Sequence, residues 1–106
     1  MRALAEIQVI PLGVGVSVRK EVMRAHRILE ESGLQVALHA YGTNVEGEWG
    51  DVFAALERCH EVLHEMGAPR VSTNLRCGTR TDKKQTREDK VRSVQEKLDN
   101  DQNSEF

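Results

Sequence analysis

The sequence predicts an α+β fold: a ferredoxin-like βαββαβ sandwich on a four-stranded antiparallel sheet, with an additional C-terminal helix. Three observations predict it. Four stretches alternate apolar and polar residues with the period of a strand, and two others repeat apolar residues every three or four positions as a helix does. Glycines and a proline stand between them as turn formers. The resulting order of strand, helix, strand, strand, helix, strand satisfies the right-handed crossover rule with both helices packed on one face of the sheet.

The first strand is expected from Ala3 to Pro11, with Ala3, Ala5, Ile7 and Val9 on one face and Leu4, Glu6, Gln8 and Ile10 on the other. Leu12 to Val16 carries two glycines and reads as a loop. Ser17 is placed to cap a helix whose apolar positions are Val18, Val22, Ala25 and Leu29, and Gly33 is placed to stop it. Leu34 to Tyr41 alternates again, setting Gln35, Ala37, His39 and Tyr41 against Leu34, Val36, Leu38 and Ala40. Gly42 makes a turn into a short strand, Thr43 to Glu48. The second helix keeps Val52, Leu56, Cys59, Leu63 and Met66 in register until Gly67 and Pro69 end it. The fourth strand, Arg70 to Cys77, turns Val71, Thr73, Leu75 and Cys77 toward the helices and Ser72, Asn74 and Arg76 away. After a polar connector, Thr86 with Asp89 resembles a helix-start pattern, and Val91, Val94 and Leu98 form a narrow apolar stripe. Residues 1–98 are thus expected to form one domain with its last helix at 84–98, and 99–106 has the composition of a frayed tail.

A chain of 106 residues has room for one core and little interior for a private active site. Its longest apolar run, Val9 to Val18, is interrupted by Pro11, Gly13, Gly15 and Ser17, so no transmembrane helix is expected. Met1 and Arg2 lead into a strand containing Glu6 rather than into a secretory signal, and a cytoplasmic location is expected, with Cys59 and Cys77 as reduced thiols. The net charge of −2 argues against binding nucleic acid through counterion release. RNA binding through strands of this fold would need aromatic stacking platforms, and the open face offers Tyr41 alone. The charge is nevertheless uneven, for Arg76 to Arg92 holds seven basic residues against Asp82, Glu88 and Asp89. Arg76, Arg80 and Lys83 are candidates for an anion site, the alternative being a solvated face with internal ion pairs.

With both main helices on one side, the other sheet face carries Leu4, Glu6, Gln8, Ile10, Ala37, His39, Tyr41, Ser72, Asn74 and Arg76. That mixture is too apolar for free solvent and too polar for a core, and such faces meet a second subunit or another helix. A homodimer or homotetramer is expected, with polar groups of this face or its rim available to a small ligand.

Two stretches carry candidate chemistry. His60-Glu61-Val62-Leu63-His64 fits the zinc-peptidase pattern HExxH, whose histidines share a helix face. No second motif supplies a third ligand, and Leu63 at the centre of the apolar register puts both histidines on the flanks of the core, so no metal site is assigned. The stretch from His39 to Trp49 gathers an imidazole, a phenol, a hydroxyl, two carboxylates and an indole, interrupted by Gly42 and Gly47. These side chains suit a small polar aromatic ligand, and they equally suit a hairpin followed by a helix start.

The same residues resemble the thiamine-binding-protein family of the YkoF-like group, over about Leu4 to Leu98. The likeness is specific in Val9-Ile10-Pro11-Leu12-Gly13 with Ser17 behind it, and in Glu31-Ser32-Gly33-Leu34 followed by His39-Ala40-Tyr41-Gly42-Thr43-Asn44-Val45-Glu46-Gly47-Glu48-Trp49. It continues in Arg70-Val71-Ser72-Thr73, Arg80-Thr81-Asp82-Lys83 and Lys90-Val91-Arg92-Ser93-Val94. The resemblance implies a ferredoxin-like fold, assembly into tetramers, and a pocket for thiamine or a hydroxymethylpyrimidine, with no catalytic activity and no cofactor. Glu46 is then the first candidate contact, balancing a thiazolium or bonding an aminopyrimidine. Thr43, His39 and Asn74 are further polar partners, and Trp49 or Tyr41 a flat wall. Gly78-Thr79-Arg80 stands where many members carry two aspartates before the arginine, which makes this connector more basic.

Overall fold

The computed structural model describes residues 1–81 and 87–104. The elements follow as β1 (Arg2–Leu12), α1 (Arg19–Glu31), β2 (Gln35–His39), β3 (Gly42–Glu48), α2 (Trp49–Glu65), β4 (Arg70–Thr79) and α3 (Arg87–Ser104). The strands form one sheet in the order β2-β3-β1-β4 with every pairing antiparallel, the ferredoxin-like arrangement expected from the alternation. Among the described residues, no helix is long and apolar enough to cross a membrane.

The core lies between one sheet face and the two middle helices. Ala3, Ala5 and Ile7 of β1 and Val45 of β3 meet Ala25, Ile28 and Leu29 of α1 and Val52, Ala55, Leu56, Cys59 and Leu63 of α2. The small residues Ala25 and Cys59 bring the helices close, and the Cys59 thiol donates to the Ala25 carbonyl at 3.7 Å. Burial pushes that thiol up to about 11, so it stays protonated and inert at neutral pH. His60 meets Thr73 of β4 at 2.6 Å and locks α2 onto the edge strand.

Several boundaries differ from the sequence pattern. α1 starts at Arg19 with Val18 at the capping position and no side-chain cap, so Ser17 lies one residue too early to serve. The buried stripe of α1 is rotated toward Ile28, which leaves Val22 41% exposed. β2 stops at His39, because Gly42, with φ of 154°, starts the return strand against Ile7. A Cβ at Gly42 would stand 2.6 Å from the Ile7 carbonyl oxygen, so the close approach of the two backbones requires glycine. β4 continues two residues past Cys77, and Gly78 and Thr79 pair with Leu4 and Ala3 rather than belonging to the connector. α3 reaches Ser104, beyond the Leu98 at which its apolar stripe ends. The expected helix start at residue 84 and the Thr86 cap lie outside the described residues, as does Lys83. Val91, Val94 and Leu98 of α3 are each more than half exposed.

Candidate functional site

The open sheet face is organised in transverse rows, because residues paired across antiparallel strands point to the same side. The central row is Ala37 of β2, Asn44 of β3, Glu6 of β1 and Arg76 of β4. An amide, a carboxylate and a guanidinium thus stand side by side on three adjacent strands. The row on one side is Gln35, Glu46, Leu4 and Gly78; on the other side, His39 pairs with Gly42 and Gln8 with Asn74.

The first turns of α3 lie over part of this face. Between them and the sheet is a cavity of about 410 Å³ bounded by Leu4, Glu6, Asn44, Arg76 and Gly78 below and by Lys90 and Val91 above. A further space of about 560 Å³ continues along α3 from Asn44 and Val91 toward Gln95 and Asp99. The first cavity has the composition of a small-molecule site, apolar at Leu4 and Val91 with a few convergent polar groups.

The His39 ring stands beside Glu6. The Tyr41 backbone N–H donates to His39 Nδ1 at 3.2 Å, which leaves the proton of a neutral imidazole on Nε2. Nε2 stands 3.4 Å from Glu6 Oε2. Further along the face, the Asn74 amide donates to Gln8 Oε1 at 3.1 Å, outside the cavity. Arg76 lines the cavity directly, while Arg80 follows the end of β4.

The residues expected around Glu46 are distributed differently. Glu46 is on the open face but only 1% exposed, flanked by Leu4 and Gln35 and covered by Arg2, whose guanidinium is 3.6 Å from Oε2. Thr43 is three positions away, an odd number, so it points to the opposite face and is buried beside Ile7. Tyr41, 82% exposed, and Trp49, 40% exposed, stand beyond opposite ends of β3, a strand about 20 Å long. Trp49 packs on Phe53 with ring centroids at 4.7 Å and does not wall the cavity. Glu48 receives the Met1 amine at 2.9 Å, and this hydrogen bond and charge hold its carboxyl below the usual range. The sequence pattern placed Glu6 on the open face without naming it as a candidate, and Asn44, Lys90 and Val91, which also line the cavity, were not among the candidates. The phase of Asn44 with Ala37 and Glu6 was the available signal.

The HEVLH histidines are engaged separately. His60 holds Thr73, and His64 Nδ1 donates to the Ala68 carbonyl at 2.8 Å, closing the end of α2. Their ring centroids are 6.5 Å apart, and among the described residues no three metal-binding side chains converge.

A family model described as thiamine-binding protein matches residues 5–95. A UPF0045 protein of Synechocystis is 50% identical over 100 residues, covering 94% of this chain and 83% of the relative. One from Eremothecium gossypii is 40% identical over 99 residues, covering 92% and 94%. The crystal structure of a Methanocaldococcus jannaschii protein superposes with a TM-score of 0.83 at 33% identity, covering 90% of this chain and 97% of the other. A candidate thiamine biosynthesis/salvage protein from Thermotoga maritima shares the fold with a TM-score of 0.76 at 20% identity, covering 89% and 99%.

Proposed function

The chain belongs to the thiamine-binding-protein family, and from that premise we propose that it is a non-enzymatic homo-oligomer that binds thiamine or a hydroxymethylpyrimidine-like ligand on its open sheet face. The observation that carries this reading is the row Asn44, Glu6 and Arg76 beneath a cavity roofed by Val91. A 4-aminopyrimidine presents an amino donor beside ring-nitrogen acceptors. Glu6 accepts from the amino group, and the Asn44 amide both donates and accepts. In thiamine the Glu6 carboxylate also balances the thiazolium charge. Leu4 and Val91 take the faces of the ring. Glu46 supports the floor from beneath Arg2, and Asn74 with Gln8 borders the site.

The cavity wall offers binding groups, and Cys77, which also lines it, pairs with Ala5 in the phase of the helix side. The Cys59 thiol is on the other side of the sheet with its ionisation suppressed. The two unbridged thiols, Cys59 and Cys77, fit a reducing compartment, the cytoplasm.

Self-association is supported by the apolar stripe Val91, Val94 and Leu98, continuous with the open face and more than half exposed. The same stripe is what favours the second reading, an interaction module of this fold without a thiamine ligand. Titration calorimetry with thiamine and with hydroxymethylpyrimidine tests the first reading. Binding that falls at least tenfold in Glu6→Gln supports it, and binding that Glu6→Gln leaves unchanged overturns it. Light scattering on a sizing column tests assembly, and a monomer overturns the oligomer in both readings.

A further inference from the structure

We propose that the cavity takes its ligand as a phosphomonoester, with Arg76 and Lys90 as the pair that holds the phosphate; the inference rests on the ligand reading above. Arg76 reaches the cavity from the sheet and Lys90 from the first turns of α3, so two cations approach one space from opposite walls. Their neighbours are engaged elsewhere. Glu6 pairs with Arg76 across the strands, yet its carboxylate turns toward His39 on the other side. Arg2 is taken by Glu46, and Asp89 holds Arg92 at 3.3 Å. Glu88 lines the adjoining space. Neither Arg76 nor Lys90 has an ion pair or side-chain hydrogen bond among the described residues.

Room for the anion is built in at Gly78, next to Arg76 on β4. A Cβ at that position would meet nothing within 4 Å. A phosphomonoester carries close to two negative charges at neutral pH and three acceptor oxygens, which matches a guanidinium fork on one side and an ammonium on the other. Glu6 and Asn44 are left for the heterocycle, and a one- or two-carbon arm joins the two halves. A free alcohol would leave both cations unpaired in the filled cavity.

Calorimetry on the full chain with four probes, thiamine, thiamine monophosphate, hydroxymethylpyrimidine and its phosphate ester, tests this. Each ester is expected to bind roughly tenfold or more tighter than its parent alcohol. Arg76→Gln and Lys90→Gln, both on exposed positions, should each shrink that ratio severalfold, and the double variant should bring it to about one. The readout is the ratio of ester to alcohol affinity within each protein, so a change that weakens both compounds equally cancels. Equal affinity of esters and alcohols, or an ester preference that survives in the double variant, overturns the phosphate assignment while leaving the ligand reading intact. Failure of all four probes to bind overturns the ligand reading and this inference with it.

Discussion

Glu6 and Ile7 are neighbours in β1, and they belong to different physical regimes. Ile7 faces two helices and is 2% exposed, whereas the Glu6 side chain is half-exposed and stands among an amide, an imidazole and a guanidinium. The contrast extends over the whole sheet. One face is filled by apolar side chains from every direction, and the other is covered partly, by the start of α3. Stability is therefore concentrated on the helix side and recognition on the open side, with a single layer of backbone between them. Separation of this kind lets the open face carry uncompensated charge at little cost to folding, since the core does not depend on it.

The largest expected effect attacks the helix face. Ile7→Ala should lower unfolding free energy by about 2–5 kcal/mol in urea titrations, because the surrounding side chains cannot collapse into the space. Ligand affinity of the folded protein should stay within about twofold. The neighbouring change Glu6→Gln should do the reverse, leaving stability within about 0.5 kcal/mol and weakening the ligand at least tenfold. If Glu6→Gln unfolds the protein, or if Ile7→Ala alone removes binding, the division between the faces fails.

Gly42→Ala probes the seam between them. Its new methyl would collide with a backbone oxygen that cannot move without shifting β1, so a loss of more than about 1 kcal/mol is expected. The register of β2 and β3 should shift with it and displace His39. A variant that is as stable as the original and binds normally would mean that the turn does not set the register of the open face.

Glu46 sharpens the comparison, for it lies on the open face and is buried as deeply as the core. Arg2→Ala should cost roughly 1–2 kcal/mol by uncovering that carboxylate, with a smaller effect on ligand affinity than Glu6→Gln. If Arg2→Ala and Glu46→Gln abolish binding while stability holds, Glu46 contacts the ligand directly, as the family resemblance first suggested.

Strand alternation made the two faces legible from sequence: Leu4, Glu6, Gln8 and Ile10 were correctly separated from Ala3, Ala5, Ile7 and Val9. The helix register was legible too, because Cys59 and Leu63 recur with helical period. The composition of the site was less so. His39 to Trp49 was read as a cluster of chemically suitable residues, but a strand sorts residues by parity. Thr43 and Glu46 fall on opposite faces, and Tyr41 and Trp49 on opposite ends. Lys90 and Val91 depend on how a helix returns over the sheet after a connector, and no local pattern encodes that placement. The extension of β4 through Gly78 and Thr79 likewise depends on pairing with β1, which a glycine in isolation argues against.

The smallest effect concerns Cys59 and appears in alkali. Its thiol titrates near 11 in the folded protein against an ordinary value of 9.0, because burial opposes the thiolate. Below pH 9 both states keep the proton and the group contributes no slope. Between pH 9 and about 11 the unfolded chain ionises first, so unfolding releases a proton and stability falls as pH rises. Cys59→Ala should be less stable at pH 7 through lost packing, yet show a shallower decline across this window. The difference between the two proteins in urea midpoints at pH 8, 9 and 10 isolates the thiol from every group that they share. Ligand affinity at neutral pH should be the same in both, because Cys59 acts on the helix side of the sheet. Parallel declines would show that the thiol ionises in the folded core as freely as in the unfolded chain, and that this face is less sealed than its packing indicates.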